Sequence, residues 1–65
     1  MKRNNLINLR KEKGYTQLEL ANEVGISDKH YQSLEAGTSD GSVKVWQHLK
    51  KLLGASSIDF LLEKE

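Results

Sequence analysis

The 65-residue chain contains no cysteine and no proline. Lacking cysteine, it can form neither a disulfide nor a thiolate metal site. Two isolated histidines, His30 and His48, are too few to hold a metal without carboxylate help, so neither a metal nor another cofactor is expected. A chain this short buries only about 60% of its unfolded surface. Its core must come from packing alone, or from packing plus self-association. Lacking proline, the chain can run in uninterrupted helices, with five glycines and scattered serines as punctuation. No apolar run approaches the ~20 residues that span a bilayer. The start, Met1-Lys2-Arg3-Asn4-Asn5, has none of the apolar stretch of a secretory leader. A cytoplasmic protein with no membrane partner is expected. Nor is there an excess of either charge: ten Lys and Arg against nine Asp and Glu give a net +1. Six of the basic residues precede position 34, against four acids, a mild N-terminal bias. That falls short of the basic excess that announces a nucleic-acid binder by itself. Charge alone leaves function open.

What is present is helical periodicity broken by Gly, Ser and Thr. A first helix is predicted from about Arg3 to Lys13, with Leu6 and Leu9 inward, Ile7 beside them and Gly14 ending it. A second follows Thr16, where Thr16-Gln17-Leu18-Glu19 has the spacing of a capping box, flanked by Tyr15 and Leu20 as a hydrophobic staple. Leu20, Ala21 and Val24 form its inner face, and Gly25 stops it. Ser27 caps a third helix, with Asp28 complementing the helix dipole. Tyr31 and Leu34 continue its inner stripe to Gly37, the Tyr31 hydroxyl reaching outward. After the loop Thr38-Ser39-Asp40-Gly41, Ser42 caps a fourth helix. It carries Val43, Trp46, Leu49, Leu52 and Leu53 inward and closes at Gly54. Ser56 or Ser57 caps a last helix from Ile58 to about Lys64, with Ile58, Leu61 and Leu62 as its apolar side. No repeat, low-complexity segment or credible strand is present. The expected fold is an all-α compact bundle of about five short helices forming one domain over residues 1–65. From Met1 and the full set of helices a whole small protein is expected, with a fragment of a larger regulator as the alternative.

Only Gly25-Ile26-Ser27 separates the second and third helices. A left-handed glycine in so short a turn makes two helices cross steeply. Ala21 is the small residue that lets the backbones approach. Ser27, Asp28, Lys29, Gln32 and Ser33 are left outward on the first turns of the third helix. There, polar, flexible, hydrogen-bonding side chains can meet the base edges of duplex DNA.

The stretch Leu9-Arg10-Lys11-Glu12-Lys13-Gly14-Tyr15-Thr16-Gln17 comes first. Leu20-Ala21, Val24-Gly25-Ile26-Ser27 and Leu34-Glu35-Ala36-Gly37 follow. Together they closely resemble the Cro/repressor (xenobiotic-response-element-type) helix-turn-helix family. Leu53-Gly54 and Ser57-Ile58-Asp59 with Leu61-Leu62 resemble that family's closing helices. The resemblance implies a lambda-repressor-like DNA-binding domain, with the helix-turn-helix at 16–37 and the recognition helix at 28–36. It further implies a double-stranded DNA partner and a homodimer on DNA. Asp28, Lys29, Gln32 and Ser33 fall at its base-reading positions. Gln17 matches a phosphate-binding residue, and Thr16, Ser27, His30, Thr38, Ser39 and Lys44 would be further contacts to the DNA backbone. Arg10 and Glu35 match a structural ion pair between the first and third helices. Two departures from the family lower the expected affinity of one monomer: the loop after Gly37 has no cation, and Asp28 puts a carboxylate on the DNA-facing side. Each neutralised phosphate adds roughly 0.9 to the log–log salt slope, so few cations mean a shallow one.

Neither histidine has an acid or serine partner at triad spacing, and no glycine loop cradles a phosphate, so no enzyme is expected. Trp46 is in phase with the core, and His48 lies on an outer face. Leu18 is outward, either singly exposed or touching a partner. Phe60 points away from the Ile58/Leu61/Leu62 stripe, which leaves one of these apolar residues for a second subunit. The function expected is a sequence-specific regulator of transcription, a repressor of a phage, mobile element or bacterial circuit that occludes a promoter. The alternative is a protein-interaction module on the same fold, an antitoxin or anti-regulator with weak or no DNA binding.

Overall fold

Four hydroxyl side chains set the starts of four helices. Thr16, Ser27, Ser42 and Ser57 have extended backbones, and their side-chain oxygens accept from the backbone N–H of Glu19, His30, Val45 and Phe60, at 3.0–3.3 Å. Each bond satisfies one of the donors a helix start leaves orphaned. At Thr16 the box is complete, because Glu19 Oε1 accepts from the Thr16 N–H at 2.9 Å. The computed structural model describes all residues from Met1 to Glu65. It contains α1 (Asn4–Glu12), α2 (Gln17–Val24), α3 (Asp28–Ala36), α4 (Val43–Leu53) and α5 (Ile58–Leu62), with no strand. Two helices fall short of the sequence-based expectation. Arg3 lies outside α1, as its N-cap, and α5 ends at Leu62 instead of Lys64.

One side of each helix closes on a shared centre: Leu6, Leu20, Ala21, Tyr31, Leu34, Trp46, Leu49, Leu53, Ala55 and Leu61. Leu9, Val24, Ile26 and Leu52 pack around it, partly buried. At about 25 cal/mol per Å2 of apolar surface, each fully buried leucine contributes roughly 1.5–3 kcal/mol. Val43 departs from its expected inner position and is 69% exposed. As the first residue of α4 it precedes the turn on which Trp46 packs, and no neighbouring element covers it. α2 lies against α3 and α4, while α5 closes the bundle against α1 and α4. The Asn5 side chain adds to that closure, donating to the Phe60 carbonyl at 3.0 Å and to Glu63 Oε2 at 2.6 Å.

Candidate nucleic-acid interface

The direction of α3 is decided at the end of α2. Gly25 takes φ +78°, which places the Gly25 N–H on the Asn22 carbonyl (3.2 Å) and the Ile26 N–H on the Ala21 carbonyl (3.0 Å). These two bonds are the Schellman cap, which reverses the chain at once. Ile26 then packs against the core, Ala21 is fully buried where the helices meet, and Ser27 starts the next helix.

α3 is held in its orientation by Glu35, a carboxylate that is almost fully buried. Its Oε2 accepts from Arg10 Nε at 2.6 Å and from the Tyr31 hydroxyl at 2.6 Å. Its Oε1 accepts from Gln17 Nε2 at 2.8 Å. Arg10 also donates to the Tyr15 carbonyl at 2.9 Å. The ion pair thus sits in a network that joins α1, α2 and α3, and a buried charge needs such partners. The Tyr31 hydroxyl therefore turns inward, contrary to the outward reach expected for it. Burial first, and the bond to a carboxylate second, push its pKa well above the usual 10.

The solvent side of α3 carries Lys29 and Gln32, exposed, with Ser33 half-buried beside them. These three line a concavity of about 440 Å3 together with Gln17 from the start of α2 and Thr38 from the following loop. Lys2 completes the rim, and Ile7, Glu35 and Ala36 form its remaining walls. Asp28 lies outside this concavity, half-buried. One of its carboxylate oxygens accepts from Gln32 Nε2 at 3.0 Å, and the other is buried without a partner. Thr16, Ser27, His30, Ser39 and Lys44 also lie outside it. The Thr16 and Ser27 oxygens serve as caps, while the Ser39 carbonyl accepts from Arg3. Lys44 is exposed at the second position of α4.

A family model described as Helix-turn-helix matches residues 6–61. The chain belongs to that family, the Cro/repressor type. The match runs from the core residue Leu6 of α1 to the core residue Leu61 of α5, and the fold is lambda-repressor-like. Neither a curated protein nor a solved structure matches the chain. As a DNA-binding helix-turn-helix regulator, the domain presents α3 as its second motif helix. No helix is long and apolar enough to cross a membrane.

In this helix-turn-helix the polar groups at the concavity are partly engaged already. Gln17 Nε2 gives one of its two hydrogens to Glu35 and keeps one for another acceptor. The Ser33 hydroxyl donates back to the Lys29 carbonyl at 3.2 Å, and Thr38 Oγ1 lies 3.4 Å from the Ser33 carbonyl. Lys29 forms no ion pair and is the free cation of α3. Sequence reasoning missed Lys2, which lines this face, and Arg3, which is buried beside it. Both lie at or before the start of the first helix, where spacing carries little information, and their partners lie more than thirty residues away.

Proposed function

We propose that residues 1–65 form one regulatory domain that reads duplex DNA with α3 in the major groove, as a homodimer. The mode of action is repression, by covering a promoter of a phage, mobile-element or bacterial circuit. The observation that carries this reading is the convergence of Gln17, Lys29, Gln32, Ser33 and Thr38, from α2, α3 and the loop, on one concave face. A nine-residue helix is about 13.5 Å long, and the major groove is about 12 Å wide. One such helix therefore offers its first two turns to three or four base pairs.

Chemistry divides the roles. Lys29 suits the guanine O6 and N7 acceptors, and the Gln32 carboxamide suits the adenine N6/N7 edge. The Asp28 oxygen that accepts from Gln32 can also accept from a cytosine amino group, so Asp28 and Gln32 would read adjacent positions together. The remaining Gln17 hydrogen and the Thr38 hydroxyl suit phosphate oxygens, which set register without reading sequence. The decisive experiment selects bound sequences from a random duplex pool and footprints them. Two half-sites about one DNA turn apart are expected. If replacing Gln17, Lys29 and Gln32 together with Ala leaves binding to the selected site unchanged, α3 is not the reading helix.

Two observations favour the second reading, a protein-interaction module. Leu18 is 54% exposed on α2, and the loop Thr38–Ser42 carries no cation. A mobility shift on random duplex separates the two. Binding that falls with added salt supports DNA recognition, and no binding even at low salt supports the interaction module.

A further inference from the structure

We propose that the Met1–Arg3 segment is a fixed part of the DNA-binding face, in which Lys2 contacts a phosphate and Arg3 is the positioning residue that holds it there. The inference rests on the DNA-binding reading above and extends it to a segment outside the helix-turn-helix.

A segment outside the helices is ordinarily poorly ordered unless tied down, and here Lys2 and Arg3 are both held by backbone bonds. The Arg3 N–H donates to the Glu35 carbonyl at 2.8 Å, and the Lys2 carbonyl accepts from the Glu65 N–H at 2.9 Å. Met1 lies so close to Gly37 that a Cβ there would strike its carbonyl. The Arg3 side chain is 2% exposed. Its Nη1 donates to the carbonyls of Leu34 and Ser39, both at 2.7 Å, and its guanidinium lies 5.0 Å from the centre of the Trp46 ring. Asp40, the nearest carboxylate, is 3.9 Å away and 96% exposed, so it adds little. The guanidinium thus satisfies carbonyls at the C-terminal end of α3 and in the loop beyond it, where a cation also complements the helix dipole.

The consequence is a placed charge. Lys2 lies on the rim shared by Lys29, Gln32 and Thr38. The loop after α3, which in this chain offers hydroxyls but no cation, borders the same concavity through Thr38. Lys2 supplies from the N-terminal side the positive charge that the loop lacks. Its own carbonyl and the N–H of the next residue are both bonded, so little of the Lys2–Arg3 backbone remains to be ordered when Lys2 meets a phosphate.

The test measures binding of the full chain to random-sequence duplex across a range of salt, for Lys2→Gln and Lys29→Gln beside the parent. Lys2→Gln changes an exposed side chain and keeps the fold. It should make the log–log salt slope shallower by about 0.9, with the largest loss of affinity at low salt. If Lys2→Gln leaves slope and affinity unchanged while Lys29→Gln weakens binding, the role of Lys2 is overturned and the DNA reading stands. If the parent binds no duplex at low salt, both fall. For the anchor, Lys2→Gln is repeated in an Arg3→Met background, which keeps a stem over Trp46 but loses both carbonyl contacts. There it should change the slope no further; an undiminished effect means that Lys2 acts as a free cation and Arg3 positions nothing. Amide exchange on the parent protein gives the same answer without a variant. The Arg3 N–H should exchange as slowly as the α3 amides, and exchange at the rate of an unfolded chain would refute the anchoring.

Discussion

Glu35 answers to three donors from three helices, and its replacement should be the most damaging single change on the buried side of α3. Glu35→Ala leaves the Arg10 guanidinium, 9% exposed, without its counter-charge. Stranding a buried charge costs about 3–5 kcal/mol, comparable with the whole stability of a domain this size. We expect Glu35→Ala to unfold the chain near room temperature, as judged by far-UV circular dichroism. Tyr31→Phe removes a single donor to a carboxylate and should cost about 1.5–3 kcal/mol in urea unfolding. It also has a pH signature. The Tyr31 pKa is raised in the folded state, so its contribution is complete below about pH 10, where an unfolded tyrosine ionises. It is lost as pH climbs from there toward the folded value. The stability gap between parent and Tyr31→Phe should therefore narrow between about pH 10 and pH 11, and a constant gap would contradict the buried phenol–carboxylate bond. Two glycines make a further pair. Gly25 and Gly37 share φ near +79°, but a Cβ at Gly25 meets nothing within 4 Å whereas one at Gly37 runs into the Met1 carbonyl. Gly25→Ala should cost about 1–2 kcal/mol of left-handed strain, and Gly37→Ala clearly more, in parallel thermal melts.

At the scale of the element, the starts and stops of helices were legible because they depend on a few adjacent atoms. Thr16, Ser27 and Ser42 each cap the helix assigned to them, and Gly25, Gly37 and Gly54 end theirs in the left-handed conformation. Ser27→Ala should destabilise by about 1 kcal/mol. Because the lost cap frays the first turn of α3, it should also weaken duplex binding by more than its loss of one hydroxyl contact explains, in titrations below the melting temperature. The misplacements have the same origin. Val43 has the right spacing for the core stripe of α4, but spacing says which way a side chain points and not whether another element lies there. Arg3 could not be told from an ordinary helix-start cation, because the carbonyls of Leu34 and Ser39 that bury it come together only when α3, its loop and the N-terminal segment are assembled.

At the scale of the whole molecule, a net charge of +1 gives little long-range attraction to DNA. The proposed homodimer would offset this by doubling each contact. Phe60, 38% exposed on α5, is the aromatic available to a second copy. Phe60→Glu should leave the monomer folded, with unchanged far-UV dichroism, and abolish cooperative occupation of paired half-sites in footprinting. Equal cooperativity in the variant would place the dimer contact elsewhere.

The order of helices, their caps, the steep turn at Gly25 and the polar outer side of α3 follow from the sequence alone. Each is governed by neighbours within about one helical turn, where residue type and spacing fix the geometry. The tertiary structure decided the rest: the inward Tyr31 hydroxyl, the shared use of Glu35 by Arg10, Gln17 and Tyr31, the buried Arg3, and Lys2 beside Lys29. Those outcomes depend on which distant backbone carbonyls and carboxylates are left without partners when five helices close on one another. Only the assembled core makes that choice.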